Sequence, residues 1–237
     1  MPPRPVLTVS ALAATALALS FAATKALAPA ESGPVPVTTA SRDRTSDVSD
    51  AAVLSSEQLR SRLLDAGDLG HGYTSKPERT GGQDDVAVIG CPALEQLGDQ
   101  AGTGAALSFP RRAEAAFTHS GQRGADLTVE LYSDVPDRLA QGAGQIFTAM
   151  ASCPVHQLVL GGTPVKVTVQ KLAPPLLGDQ QWSHLVTLTT AGLDNAVKQT
   201  AVRSGTVLVV VSGSPTLVDT HIEKAIAKAA PGERRPQ

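Results

Sequence analysis

Residues 127–153 read LTVELYSDVPDRLAQGAGQIFTAMASC, and this stretch decides the fold class. In its first six residues leucine or valine alternates with threonine, glutamate or tyrosine, a period of two that predicts a half-buried strand. From Leu139 to Met150 apolar residues recur mostly every three or four positions, which predicts a helix with one buried stripe. Pro136 opens that helix and Cys153 ends it. The stretch therefore predicts a helix that packs against a sheet.

Short strand-like segments follow the helix, and turn residues join them. The segments are 165–170, 182–188, 196–202 and 206–211. The last of them is apolar on both faces, which places it in the middle of the sheet. Because short turns favour antiparallel pairing, we expect an α+β protein with a mainly antiparallel β-sheet. In the predicted architecture the helices pack on one face of that sheet.

Helix starts are marked elsewhere in the chain. Ser55 and Gln58 have the spacing of a capping box. Cys91-Pro92 opens a short second helix, and Ser214-Pro215 opens the last one, with proline in the first turn each time. Further strand-like segments lie at 73–75, 105–109 and 113–119.

The N-terminal residues have the layout of an export signal. Arg4 precedes an apolar run over 6–23, and Ala28-Pro29-Ala30 fits a cleavage site. The run of about 18 residues lies between the length of a signal and that of a spanning helix, so cleavage and retention as an anchor both stay open. The predicted division of the chain is an export segment or anchor at 1–30, a disordered linker at 31–53, an α+β domain at 54–230 and a flexible tail at 231–237.

Cys91 and Cys153 are the two cysteines of the sequence. Nothing keeps thiols reduced outside the cell, so an even count in an exported chain favours a disulfide. The bridge would tie the end of the long helix to the short helix at Cys91. Two buried free thiols are the alternative.

Composition narrows the range of partners. The chain has 20 basic and 22 acidic residues, and loss of Arg4 and Lys25 with the export segment leaves 18 against 22, a net charge of −4. This mildly acidic balance argues against nucleic acid, and against an anionic membrane surface, as the main partner. We expect membrane contact only through an uncleaved N-terminal segment. The excess of arginine over lysine, with a single asparagine, indicates a GC-rich genome such as that of an actinobacterium.

No motif predicts a metal or a cofactor. No two of the five histidines have a spacing typical of metal ligands. The short glycine segment 102–104 lacks the lysine that follows in a phosphate-binding loop. We therefore expect neither kind of group. The histidines are His71, His119, His156, His184 and His221.

Catalytic candidates also have a structural interpretation. Ser214 follows an apolar strand, as in a nucleophile elbow, but Ser212 and Thr216 stand where that motif has glycines. We predict instead that Ser214 caps the last helix. The carboxylate pair 84/85 falls in a polar loop, and the pair 134/137 falls at a helix start, where acids complement the dipole. We assign no catalytic residue.

Trp182 is the remaining candidate for a ligand site. It shares a predicted strand face with His184, Val186 and Leu188. Trp182 is either buried in the core or part of the wall of a ligand cleft. If it lines a cleft, His184 lines the same cleft. Aromatic residues are too scarce for a stacking platform for nucleic acid or sugars.

The order of helices, cysteines and strands resembles that of a known family. The residues that carry the likeness are Leu63-Leu64, Gly72-Tyr73, Cys91, the strand ending near His119 and the helix from Gln145 to Cys153. The layout is similar to actinobacterial sensor-like extracellular domains, among them the PknH-like extracellular domain family, over residues 54–229. The resemblance implies an α/β cleft domain, held by disulfides, that binds an unidentified ligand. This chain has one possible disulfide where the kinase-linked member has two, and it has neither a kinase domain nor a lipid-modified cysteine, which puts a signalling output in doubt.

These observations together predict an exported, non-catalytic, ligand-binding domain of the bacterial cell envelope. Its expected partner is a small molecule, a lipid or an envelope component. The expected location is secreted or extracellular, or anchored in the plasma membrane by the N-terminal segment. Two alternatives stay open: an envelope hydrolase with dispersed catalytic residues, and a structural partner in an envelope protein complex.

Overall fold

The computed structural model describes residues 52–77, 86–102, 109–121, 125–160 and 162–231. In this part of the chain nine strands form one antiparallel sheet, accompanied by five helices. The α+β class and the antiparallel sheet are thereby confirmed. No helix among these residues is long and apolar enough to cross a bilayer. The predicted export segment, most of the linker, the end of the tail, the 84/85 pair and most of the 105–109 strand lie outside the described residues.

The helices are α1 (Ser56–Arg60), α2 (Ala66–Leu69), α3 (Pro92–Gly102), α4 (Pro136–Ser152) and α5 (Pro215–Ala229). The strands are β1 (Tyr73–Ser75), β2 (Val86–Ile89), β3 (Arg112–His119), β4 (Asp126–Ser133), β5 (Val155–Leu160), β6 (Thr163–Lys171), β7 (Gln180–Thr190), β8 (Leu193–Ser204) and β9 (Val207–Gly213). Across the sheet they follow the order β1-β3-β4-β9-β8-β7-β6-β5-β2. Strands β5 to β9 form a meander of hairpins. The short turns predicted this pairing for β6 to β9, whereas β5 was not predicted. Strand β9 lies inside the sheet, as its apolar sequence predicted.

Helices pack on both faces of the sheet, so the prediction of a single covered face is wrong. Val207, Val209 and Val211 of β9 belong to a core that also contains residues of α1, α2 and α5. Leu208 and Val210 belong to a second core, formed with α4 and flanked by α3. The physical reason is that a strand with two apolar faces needs cover on both. We call the two sides of the sheet the α5 face and the α4 face.

The disulfide between Cys91 and Cys153 is present, as predicted. The Cα atoms are 5.5 Å apart and the bridge spans 62 residues of sequence. Cys91 is fully buried and precedes α3, while Cys153 is the C-cap of α4. The bridge therefore fastens the start of α3 to the end of α4.

Gly142 lets α4 lie close to an aromatic neighbour, whereas Gly144 does not need to be glycine for its contact with Trp182. A Cβ atom added to Gly142 would lie 2.5 Å from Cζ of Phe109. A Cβ atom on Gly144 would lie 3.9 Å from Cζ2 of Trp182. Glycine costs about 1 kcal/mol relative to alanine in a helix, and at Gly142 this cost is offset by room for the Phe109 ring.

The predicted starts of α1 and α5 are confirmed, but the predicted capping hydrogen bond of Ser214 is not formed. At α1, the Ser55 side chain accepts from the Gln58 backbone N–H at 3.2 Å, and the Gln58 side chain accepts from the Ser55 N–H at 2.8 Å. Ser214 occupies the N-cap position of α5, but its side chain makes no capping hydrogen bond. Pro215 occupies the first helical position, where the missing N–H of proline leaves one unpaired donor fewer at the helix start.

Candidate functional site

A row of polar side chains crosses the sheet over four adjacent strands. The register places Thr128 of β4 beside Ser212 of β9. Ser212 in turn lies beside Gln199 of β8, and Gln199 lies beside His184 of β7. We call these four residues the polar row. All four are buried: Thr128 and Gln199 are 8% exposed, and Ser212 and His184 are 2% exposed. Lys171 of β6, which pairs with His184, continues the row at an exposed end.

The polar row lies on the α4 face of the sheet. Trp182 and Val186, two positions before and after His184 on β7, pack against the α4 core. Ala201 of β8 and Val210 of β9 do the same, and they flank Gln199 and Ser212. Since alternate residues of a strand point to the same side, the polar row shares the face of these residues.

The face of β4 that the sequence predicted to meet solvent is in fact buried. Thr128, Glu130 and Tyr132 are each at most 8% exposed. The period of two is right, and the prediction of a solvent-facing side is wrong because helices cover both faces of the sheet. Three polar side chains of one strand are therefore enclosed.

Some buried atoms on the α4 face have no hydrogen-bond partner. These are Ser212 Oγ and His184 Nδ1 in the polar row, and Gln145 Oε1 on α4. On the opposite face of the same strands, Ser183 and Thr200 satisfy each other with a hydrogen bond of 3.0 Å. A buried polar atom without a partner costs about 1–3 kcal/mol. Ser212 Oγ and His184 Nδ1 can therefore each form a further hydrogen bond, with a group that does not come from the protein.

His184 lies against the helix that covers it. The Phe147 ring on α4 is 4.9 Å from the His184 ring and 6.1 Å from Trp182, centroid to centroid. Burial lowers the pKa of His184, and the charge of Lys171 lowers it further, so the imidazole is neutral at physiological pH. The structure thus brings both predicted cleft residues together beneath α4, with Trp182 half-buried and His184 buried. Ligand binding by this pair stays a prediction.

Glu130 is a second buried polar group beside the row. It follows Thr128 by two positions on β4, and Tyr132 Oη donates a hydrogen bond of 3.1 Å to its Oε1. Glu114 of β3 lies directly opposite Glu130 in the register. Burial, and then the charge of Glu114, raises the pKa of Glu130 to about 7. The carboxyl therefore keeps its proton in mildly acidic solution.

This shift predicts that stability falls as the pH rises from about 4.5 to about 7. The unfolded chain releases the Glu130 proton near 4.5 and the folded chain near 7, so between these values the folded state binds more protons. The difference corresponds to roughly 3 kcal/mol. Glu130→Gln keeps an acceptor for Tyr132 and should remove this part of the pH dependence in urea unfolding. The exposed control Glu95→Gln should keep it, and a Glu130→Gln profile like that of the wild type would contradict the prediction.

The side chains of the row do not form a nucleophile and its base. Ser212 and His184 lie on strands that are separated by β8, so their backbones are about 9.5 Å apart. A base must lie within about 3 Å of the nucleophile that it activates. Asp134, one of the carboxylates considered for catalysis, makes a salt bridge of 3.1 Å to Arg138 at the start of α4. In the described part of the chain, no group of three or more histidine, cysteine or acidic residues could hold a metal ion.

Sequence reasoning placed His184 in the site and missed the rest of the row. Thr128, Gln199 and Ser212 are polar positions in or beside strands, a pattern that usually indicates a solvated face. The signal that could have found Ser212 is its place directly after the doubly apolar segment 206–211. No local pattern indicates that these residues share one row, because strand pairing alone brings them together.

The rings of Tyr73, His119 and His221 form a cluster on the α5 face, and we interpret their contacts as structural. Tyr73 Oη and His221 Nε2 are 2.7 Å apart, and the His119 ring lies 4.7 Å from the Tyr73 ring. Burial lowers the pKa of His221, with smaller contributions from Lys224 and His119. These contacts join the edge strand β1 to α5 and to β3.

The fold has a counterpart among solved structures. The extracellular domain of PknH from Mycobacterium tuberculosis superposes with a TM-score of 0.53 at 13% identity, over 75% of this chain and 97% of that domain. An uncharacterised protein from Mycobacterium smegmatis, also 13% identical, covers 73% of this chain and 94% of its own, but its TM-score of 0.37 is too low for a structural conclusion. No family model and no curated protein matches the sequence. The resemblance to PknH-like extracellular domains is thus confirmed as a likeness of fold.

Proposed function

We propose that this chain is an exported, non-catalytic domain that binds a small molecule between its sheet and α4. The observation that carries the proposal is the pair of buried atoms without partners, Ser212 Oγ and His184 Nδ1, in one cross-strand row. Ligand groups at this place would complete their hydrogen bonds and offset the cost of burying them. Apolar neighbours with a few convergent polar groups are the usual lining of a ligand site.

The extracytoplasmic location has two supports. The export-type layout of residues 1–30 is the first. The second is the disulfide, which persists in oxidising compartments. The shared fold with an extracellular domain agrees with both. A cell-envelope setting follows if the N-terminal segment stays in the membrane or if the ligand is an envelope component.

A structural role in an envelope protein complex is the second candidate. Ile89 and Val155 are exposed by 49 and 56%. The register pairs Ile89 with Gln157, two positions from Val155, so the two apolar side chains are diagonal neighbours on one face beside the disulfide. An exposed apolar pair of this kind suits a protein contact, although contiguous patches that mark interfaces are larger.

Native mass spectrometry of the exported protein tests the ligand proposal. After incubation with an extract of the bacterial envelope, the wild type should retain a small-molecule adduct. Ser212→Phe places a ring in the polar row and should abolish the adduct, because the ring occupies the space of the ligand. Gln170→Phe on the exposed side of β6 controls for an added ring outside the row and should retain the adduct. Both variants must unfold cooperatively in urea before their adducts are compared, because a ring at the buried Ser212 also tests the packing. An adduct that survives in Ser212→Phe, or a wild type without any adduct, would contradict the proposal.

The same spectra test the location. Cleavage predicts a polypeptide that starts near Glu31 and is two hydrogens lighter than its fully reduced form. Retention as an anchor predicts the full-length mass in the membrane fraction. A full-length protein in the cytoplasm with both thiols free would overturn export altogether.

A further inference from the structure

Edge strand β1 is short, and side chains at its two ends fasten it to the rest of the protein. It has three residues, of which only Tyr73 has a half-buried side chain. Just beyond β1, the Lys76 N–H donates to the Ala116 oxygen at 2.7 Å, and the Lys76 side chain makes a salt bridge of 2.5 Å to Asp126. Tyr73 therefore holds the start of the strand, and Lys76 holds the segment that follows it.

The Tyr73 side chain reaches two histidines. Its Oη lies 2.7 Å from Nε2 of His221 on α5, and the two rings meet edge to face with their centroids 5.2 Å apart. The His119 ring on β3 lies 4.7 Å from the Tyr73 ring. The hydrogen bond between Tyr73 and His221 thus ties the edge of the sheet to the last helix.

This hydrogen bond suits a neutral imidazole at position 221. A neutral imidazole nitrogen can accept a hydrogen bond from the tyrosine hydroxyl, whereas both nitrogens of an imidazolium donate. Protonation of His221 would turn Nε2 into a donor, and the Tyr73 hydroxyl would have to direct its own hydrogen elsewhere. It would also place a positive charge on a side chain that is only 6% exposed.

The groups around His221 do not compensate such a charge. Burial lowers the pKa of His221 most, and the charges of Lys224 on α5 and of His119 on β3 lower it further. Strands β4 and β9 contribute leucine and valine side chains to this face. Acidic side chains of α5 and α2 already have basic partners: Asp219 with Lys198, and Asp68 with Lys228.

We propose that Tyr73, His119 and His221 form a pH-sensitive latch, which holds β1 on the sheet at neutral pH and releases it in mildly acidic solution. When β1 opens, water reaches His221 and the imidazole binds a proton more readily. The open form therefore binds more protons, so the closed form loses stability as the pH falls through the ordinary range of histidine. The latch goes beyond the proposed function and depends on no ligand.

Hydrogen exchange of the wild-type protein measures the release. Hydrogen-bonded pairs alternate along antiparallel strands, and the bond from Lys76 to Ala116 places Thr74, opposite Thr118, in such a pair. The Thr74 amide is therefore the reporter for local opening of β1. Amides of β9 report on the centre of the sheet.

Between about pH 7.5 and about pH 5, we expect Thr74 to lose protection severalfold, and at most about thirtyfold, after correction for the intrinsic pH dependence of exchange. The upper limit arises because an ordinary imidazole in the open form is almost fully protonated at the lower pH. Amides of β9 should not share this loss. A loss confined to β1 separates the latch from a change in global stability, to which Glu130 and His184 on the other face contribute.

Two variants assign the effect to His221. His221→Gln keeps a hydrogen-bonding side chain near Tyr73 but cannot bind the proton, so Thr74 should keep its protection at the lower pH. His71→Gln changes an exposed histidine just before β1 and should retain the pH dependence of the wild type. The wild-type His221 ring should also titrate at a lower pH in the folded protein than in urea, as followed by NMR.

Each result supports or overturns the latch. A change in Thr74 protection below about twofold overturns it, and so does an equal loss in β9, because the whole sheet would then open. A full loss that persists in His221→Gln assigns the effect to another group and overturns it too. If His221→Gln does not fold, the ring titration decides: a His221 that titrates in the folded protein at or above its pH in urea contradicts the proposal.

Discussion

Gly213→Ala should destabilise the protein by about 4 kcal/mol or more, a large part of the stability of a typical domain. Gly213 ends β9 with φ of +142°, a conformation that residues with a side chain rarely adopt. A Cβ atom there would lie 2.0 Å from the carbonyl oxygen of Asp126, which is backbone and cannot rotate away. That same oxygen accepts the Ser214 N–H at 3.0 Å. The substitution would therefore separate β9 from β4 next to Ser212.

Urea unfolding of the protein measures this effect, and two other glycines serve as controls. Gly98 lies in α3 with open space around it, so Gly98→Ala should be neutral or should stabilise by up to about 1 kcal/mol. Gly192 has φ of +80° and open space, so Gly192→Ala reports the cost of backbone strain alone, about 1 kcal/mol. If Gly213→Ala lost no more stability than Gly192→Ala, the steric argument would be wrong.

Removal of the disulfide should cost roughly 4 kcal/mol according to the chain-entropy model for a loop of 62 residues. The bridge joins α3 to α4, and α4 covers the polar row. Without it the unfolded chain gains freedom, and the start of α3 loses its covalent link. We expect that the double variant Cys91→Ala/Cys153→Ala unfolds at a clearly lower urea concentration than the oxidised wild type.

Reductant provides an independent check of the disulfide prediction. Dithiothreitol should lower the stability of the wild type towards that of the double variant, and it should leave the double variant unchanged. Hydrogen exchange should speed up first in α3. If reduction lowered the free energy of unfolding by less than about 1 kcal/mol, the prediction that the disulfide contributes roughly 4 kcal/mol would be wrong.

The elements that the sequence predicted correctly are those with local signals. The alternation in β4, the apolar stripe of α4 and the capping box at Ser55 each depend on residues within one or two turns or strands. Periodicity reports which faces of an element can be buried, because side chains repeat every 2 residues in a strand and every 3.6 in a helix. The pairing of Cys91 with Cys153 followed from the count of two cysteines in a chain whose N-terminal residues predict export.

The wrong prediction that helices cover only one face of the sheet shows what local sequence patterns do not determine. Segment 206–211 is apolar on both sides, which already required cover on both faces of at least the central strands. The polar positions of β4, taken alone, indicate a solvated face. Periodicity distinguishes one side of a strand from the other, but it does not show whether a helix from elsewhere in the chain covers the polar side.

Composition and periodicity were enough for the class of fold, most of its elements, the disulfide and the nomination of Trp182 and His184, but they missed α2, β2 and β5. Tertiary structure alone decided that His184 stands in one row with Gln199, Ser212 and Thr128. The physical reason is that strand register joins residues that are far apart in sequence. The same register sets Glu130 opposite Glu114, where burial and the neighbouring acid together change its proton affinity. Such pairings depend on how all the strands of the sheet pair and on which helix covers each face. No single segment contains that information.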